Sequence, residues 1–198
     1  RQLFLKKNKD YGTAWRVLRP SSITDQIYIK AARIRSIDSK QEQKVQDSIE
    51  NEFIGIVNYC LMALIQLHRL NEKSSDLLDK EKVIEEYDHF AGQVYQLMLD
   101  KNHDYDEIWR AMRISSMTDL IIMKIVRIKE IEDKGGKTLV SEGTDANYMD
   151  IMNYAIFALI LIKESQNQPF TLTMHYNGTI YCIAPYSRKQ AFPSRNNC

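Results

Sequence analysis

The chain carries the same unit twice. Lys7-Asn8-Lys9-Asp10-Tyr11 returns as Lys101-Asn102-His103-Asp104-Tyr105, and Trp15-Arg16-x-x-Arg19 returns as Trp109-Arg110-x-x-Arg113. Ser21-Ser22-x-Thr24-Asp25 matches Ser115-Ser116-x-Thr118-Asp119, and Lys30-x-x-Arg33-Ile34 matches Lys124-x-x-Arg127-Ile128. Asp104 stands 94 residues after Asp10; one inserted residue makes the offset 95 where Asn153-Tyr154 answers Asn58-Tyr59. A repeat on this scale requires an architecture built from two equivalent halves. What recurs is largely polar, so the shared demand is not packing alone.

Each half reads as helix, loop, helix, turn, long helix, which predicts an all-α fold of two three-helix units forming a pseudo-twofold bundle. In the second helices, Ile23, Ile27, Ala31 and Ile34 are answered by Met117, Ile121, Ile125 and Ile128, all at spacings of three and four. Ser22 and Ser116 are expected to start these helices, with Asp25 and Asp119 completing capping boxes. The third helices are expected at about 42–70, with a core stripe from Val45 to Leu70, and at about 144–162. A helical stretch from Asp79 to Met98 precedes the second copy, whereas the first begins abruptly at Leu3-Phe4-Leu5. The repeat therefore predicts that about one long helix is missing ahead of Arg1.

The expected organisation is a first repeat over 1–70, a linker over 71–82, a second repeat over 83–164 and an atypical tail over 165–198. The tail has no Asp or Glu after Ser165 and holds three of the four prolines. Its loose alternation about Asn177-Gly178 reads either as a small β-hairpin or as disordered sequence foreign to the bundle.

A formal net charge of +1 argues against generic electrostatic binding to nucleic acid. The longest apolar runs, Tyr59 to Ile65 and Tyr154 to Ile162, fall well short of the roughly 20 residues that cross a bilayer, so no membrane role is expected. Cys60, Cys182 and Cys198 lack ligand spacing, which points to a reduced, cytoplasmic protein.

Three sets of recurring polar residues are candidates for function. Lys30, Arg33, Lys124 and Arg127, with Arg19 and Arg113 beyond them, combine point charges with bidentate forks suited to phosphate oxygens. Asp10 and Asp104 close the first helices beside Tyr11 and Tyr105, as caps or as oxygen ligands of a divalent metal. On the third helices, positions three apart read Glu52, Gly55, Asn58 and Asn147, Asp150, Asn153. Each triplet keeps one carboxylate, on a different rung; if the helices face one another, Glu52 and Asp150 complete one acidic site. Glu85 and Glu86 are a weaker addition.

The string Lys7-Asn8-Lys9-Asp10-Tyr11-Gly12 with Trp15, the Lys30-x-x-Arg33-Ile34 step and the helix ending in Asn58-Tyr59-Cys60 or Asn153-Tyr154-Ala155 together resemble one bacterial and phage family. It is the nucleotide-modification-associated domain family, first type, formerly a domain of unknown function. The resemblance covers about residues 3–68 and 83–162. That family is similar in pattern to MazG-like all-α nucleoside triphosphate pyrophosphohydrolases, whose acidic bundles use magnesium to cleave between the α- and β-phosphates. The resemblance implies phosphate contacts at Lys30/Arg33 and Lys124/Arg127 and an acidic role for Asp150, where the first copy has Gly55. The paired Glu-x-x-Glu helix of true pyrophosphohydrolases is not recognisable. The expected function is a magnesium-dependent, pyrophosphohydrolase-like action on a nucleotide, with a homodimer left open. The alternatives are a non-catalytic module binding nucleotide or nucleic-acid phosphate, and a structural helical adaptor.

Overall fold

The computed structural model describes residues 1–40, 47–69, 80–136, 143–166, 172–176 and 179–183. The helices are α1 (Gln2–Tyr11), α2 (Pro20–Lys40), α3 (Ile49–His68), α4 (Lys80–Tyr105), α5 (Ile114–Asp133) and α6 (Thr144–Ser165). Single 3₁₀ turns at Ala14–Val17 and Ile108–Ala111 link the first and second helices of each copy. The bundle is all-α; the tail adds β1 (Leu172–Tyr176) and β2 (Thr179–Ile183), paired antiparallel with Tyr176 opposite Thr179.

Helix boundaries repeat along with the sequence. α1 ends on Tyr11 and α4 on the equivalent Tyr105. The chain then turns through a positive φ, 59° at Gly12 and 50° at Asp106, the same position in each copy. Glycine takes a positive φ without steric cost; the second copy holds it at two successive acidic residues, Asp106 and Glu107 (51°), where Thr13 of the first copy has a φ of −99°. The helix expected ahead of the second copy and that copy's own first helix are one continuous 26-residue helix, α4.

The capping boxes expected at Ser22 and Ser116 do not form. Helix α2 already begins at Pro20, and α5 at Ile114, so both serines lie inside the first turn. The ring of Pro20 presets a helical φ and lacks the N–H that a first-turn residue would leave unpaired, which suits it to that position, but α5 starts at the equivalent Ile114 without a proline. Thr118 turns its hydroxyl back to the carbonyl of Ile114 (3.1 Å), whereas Thr24, 3.2 Å from the Pro20 carbonyl, donates to Glu132 at 2.8 Å. Helix α3 starts at Ile49, later than the sequence pattern suggested, where the Ser48 hydroxyl accepts from the Asn51 amide at 3.2 Å. The earlier part of the expected helix, including Val45, lies outside the described residues, as do Leu70 and most of the expected linker.

Four helices close a ring in which α2 packs on α3, α3 on α6, α6 on α5 and α5 on α2, while α4 flanks α3 and α6. The expected stripes face inward: Ile23, Ile27, Ala31 and Ile34 join Met117, Ile121, Ile125 and Ile128 in one core with Phe53, Ile56, Cys60 and Ile151. The relation between the copies is visible in two exposed ion pairs across the α2–α5 seam. Lys129 meets Asp25 at 2.6 Å, and Arg35 meets Asp119 at 4.0 Å. These pairs exchange under the repeat offset, as the two sides of an isologous interface must. Exposure limits their contribution to stability, but they fix α2 and α5 as antiparallel mates. No described helix is long and apolar enough to cross a membrane.

Candidate functional site

The first copy holds a cleft of about 450 Å³. Helix α1 supplies Phe4, Lys7, Asn8 and Tyr11, whose spacing sets them on one face. The turn at Gly12 then folds Trp15 across the cleft. Lys30 reaches in from α2, and α3 forms the floor with Glu52, Gly55, Asn58, Tyr59 and Met62. Glu52 is buried and accepts from Lys30 Nζ at 3.1 Å and from Arg33, whose guanidinium also donates to the carbonyl of Asp47 at 3.1 Å. A carboxylate on the polar flank of α3 thus anchors two cations from α2.

Gly55 is what leaves room. A Cβ there would stand 2.5 Å from Cε of Lys30, so the lysine lies across the bare helix to reach Glu52 one turn away. A glycine in a helix interior is about 1 kcal/mol worse than alanine, and here it opens a path for a charged side chain. Asn58 is held from below: its amide nitrogen donates to the Ile54 carbonyl at 2.8 Å, and Tyr87 of α4 donates to its Oδ1 at 2.9 Å.

The second copy fills the same place with its own side chains. Asp150 occupies the position of Gly55, and it accepts from Lys124 at 2.6 Å and from Lys101, the counterpart of Lys7, at 2.5 Å. Burial opposes ionisation of Asp150, but the hydrogen bonds and charges of Lys101 and Lys124 outweigh it and hold the carboxyl below its ordinary range. Phe157 replaces Met62 and stacks on Trp109 with ring centroids 4.3 Å apart. Arg110 covers the indole at 4.4 Å, and the Trp109 N–H donates to Asn102 at 3.0 Å. Asn147, at the rung of Glu52, is buried and donates to the Gly143 carbonyl at 2.7 Å.

Comparison with protein families matches the nucleotide modification associated domain 1 model to residues 7–67 and again to 101–162. The chain belongs to the nucleotide modification associated domain 1 family. The two matched segments begin on Lys7 and Lys101 and take in nearly all of the cleft and its filled counterpart, so this family's repeat is the structural repeat. Comparisons with curated proteins and with solved structures gave no match.

Within the nucleotide modification associated domain 1 frame, the expected site residues divide between the copies. Lys30 and Arg33 meet on Glu52; Lys124 meets Lys101 on Asp150; Arg127 is exposed. Glu52 and Asp150, expected to complete one acidic site, each sit between two cations of their own copy. Arg19 and Arg113 are exposed beside the starts of α2 and α5. Asp10 and Asp104 are exposed, with Asp104 beside His103 at 3.1 Å. Tyr11 and Tyr105 are both exposed, Tyr11 on the cleft rim. Asn153 is buried with both amide atoms unpartnered. Glu86 is paired with Arg69, and Glu85 is exposed. Among the described residues, no group of three or more His, Cys, Asp or Glu side chains could hold a metal ion.

Lys7, Asn8, Trp15 and Lys101 were not recognised as site residues from sequence, although all four recur in the repeat. Their recurrence was the signal, but recurrence could not say which face of α1 and α4 they share. A second, larger groove of about 1080 Å³ lies at the α2–α5 seam, with Arg35 set against Asp38, Glu50 and Asp119. One cation against three carboxylates repels phosphate, so the smaller cleft is the better candidate.

Proposed function

We propose that the first copy of this domain binds a nucleotide and that the second is its structural counterpart, closed by internal ion pairs. The observation that carries the reading is the exchange of Gly55 for Asp150. In one copy the lysines face a cleft; in the other a carboxylate joins them and takes the ligand's place. The cleft volume, about 450 Å³, lies within the roughly 300–1,000 Å³ typical of small-molecule sites. Lys30 is pinned by Glu52 yet lines the cleft, so its remaining N–H donors are preorganised for phosphate oxygens. Lys7 adds a second charge on the opposite wall, and Trp15, Tyr11 and Tyr59 offer flat surfaces to a nucleoside.

Hydrolysis with magnesium, as in MazG-like enzymes, is the catalytic extension of this reading. The cleft presents two carboxylates, Asp47 and Glu52, and Glu52 is committed to Lys30 and Arg33. That donor set does not suit a resident magnesium ion, which takes carboxylates free to coordinate it. Nucleotide binding is therefore the function that the geometry supports best.

Calorimetry with ATP and with inorganic tripolyphosphate, each with and without magnesium, tests it. Lys30→Met should lower the affinity for both ligands at least tenfold. Lys129→Gln, on the outer seam, should leave it unchanged. Absence of binding in the wild type, or wild-type affinity in Lys30→Met, rejects the proposal. A pyrophosphate-release assay on the same samples decides whether binding leads to turnover.

A further inference from the structure

Asn8 and Trp15 occupy the same repeat positions as Asn102 and Trp109. In the second copy these side chains satisfy each other, the Trp109 indole donating to Asn102 Oδ1 at 3.0 Å. In the first copy that bond is open. Asn8 Oδ1 and Trp15 Nε1 are both buried, both without a partner, and both residues line the cleft. Asn8 is only 4% exposed, and its amide nitrogen is turned away, donating at 3.4 Å to the carbonyl of Lys80 at the start of α4. This leaves the carboxamide oxygen for the cleft. Trp15 also lacks the ring that backs Trp109, since Met62 stands where Phe157 stacks.

A buried acceptor and a buried donor left open together, in a frame whose duplicate closes them on one another, mark a place for a ligand group that supplies the reciprocal donor and acceptor. Phosphate oxygens lack the donor that Asn8 Oδ1 needs at neutral pH. A sugar hydroxyl carries both functions on one atom, and the amide-like edge of a nucleobase carries them on adjacent atoms. Resting on the nucleotide-binding reading above, we infer that Asn8 and Trp15 are the nucleoside-recognising pair of the first copy. Trp15 Nε1–H donates to the nucleoside, and Asn8 Oδ1 accepts from it, while Lys7 and Lys30 take the phosphates.

The test uses the full chain labelled with ¹⁵N, in which Trp15 and Trp109 give two indole N–H resonances, assigned with Trp15→Phe. Titration with ATP, dATP, dGTP, dCTP and dTTP should shift the Trp15 resonance and leave that of Trp109 in place. Inorganic tripolyphosphate should bind without moving either. A difference between ATP and dATP assigns the contact to the sugar, and a difference among the four deoxynucleotides assigns it to the base. By calorimetry, Asn8→Ala should lose at least tenfold in nucleotide affinity and keep its affinity for tripolyphosphate. Asn102→Ala, which breaks only the closed pair, should keep both. An unmoved Trp15 resonance under saturating nucleotide overturns the inference while leaving the phosphate site standing. Failure of tripolyphosphate to bind, with adenosine or thymidine still shifting Trp15, would remove the phosphate reading and keep the nucleoside contact.

Discussion

Replacing Asp150 with Asn tests whether the second copy is held shut by its ion pairs. The side chains of Asp150 and Lys124 are only 12% and 10% exposed, and their atoms meet at 2.6 Å. Removing one partner of a buried pair costs about 3–5 kcal/mol because the other charge is stranded. Two features reduce this. Lys101 is 44% exposed and can turn to water, and Asn keeps an oxygen that accepts from Lys124, recovering about 1 kcal/mol. The expected loss is about 3 kcal/mol, or roughly 6–12 °C in Tm for a chain of this size.

Urea unfolding followed by far-ultraviolet circular dichroism at neutral pH measures that loss. The pH dependence is a second reading of the same contact. Because the folded-state carboxyl of Asp150 titrates below its ordinary range, its contribution is complete above the unfolded value and disappears as pH falls through the folded one. The gap between wild type and Asp150→Asn should therefore stay constant from about pH 8 to pH 5 and close below about pH 4. In a Lys124→Met background, Asp150→Asn should cost less than about 1 kcal/mol, since no buried cation is left behind. Equal midpoints for wild type and variant at neutral pH, or a gap that closes between pH 7 and pH 5, would refute the reasoning.

Three further expectations follow from single contacts. Tyr87→Phe leaves Asn58 Oδ1 without its buried donor and should cost about 1–3 kcal/mol in denaturant unfolding. Phe157→Ala removes the ring stacked on Trp109 and should cost about 3–5 kcal/mol, with a matching loss of near-ultraviolet dichroism. Burial, aided by the charges of Asp25 and Asp133, raises the Glu132 carboxyl above its ordinary value despite the bond from Thr24. Its ionisation thus weakens the fold as pH rises through that window, and Glu132→Gln should raise Tm at neutral pH, with the advantage gone below about pH 4.

Much of this molecule follows from the sequence alone. The constant offset fixes two equivalent units, and the apolar residues at spacings of three and four fix which face of α2, α3 and α5 is buried. Both are local properties of the chain, carried by periodicity and readable without coordinates. The family follows from the same strings. Helix starts were less legible: α2 and α5 begin at the equivalent Pro20 and Ile114, two residues ahead of the serines, with a proline in only one copy.

The site depended on tertiary structure. Sequence placed one carboxylate in the polar triplet of each third helix, at different rungs, and suggested that they converge. Whether Glu52 and Asp150 share a site or serve separate lysines depends on how α2 crosses α3 and α5 crosses α6, which no local pattern encodes. The same holds for Asn8 and Trp15: identical residues recur in both copies, yet one pair bonds internally and the other stays open. The copies also differ at Gly55 and Met62, remote in sequence from Asn8 and Trp15, which line the open cleft where the closed copy has Asp150 and Phe157. A repeat specifies equivalent backbones; the long-range neighbours of each copy decide which half is sealed and which can take a ligand.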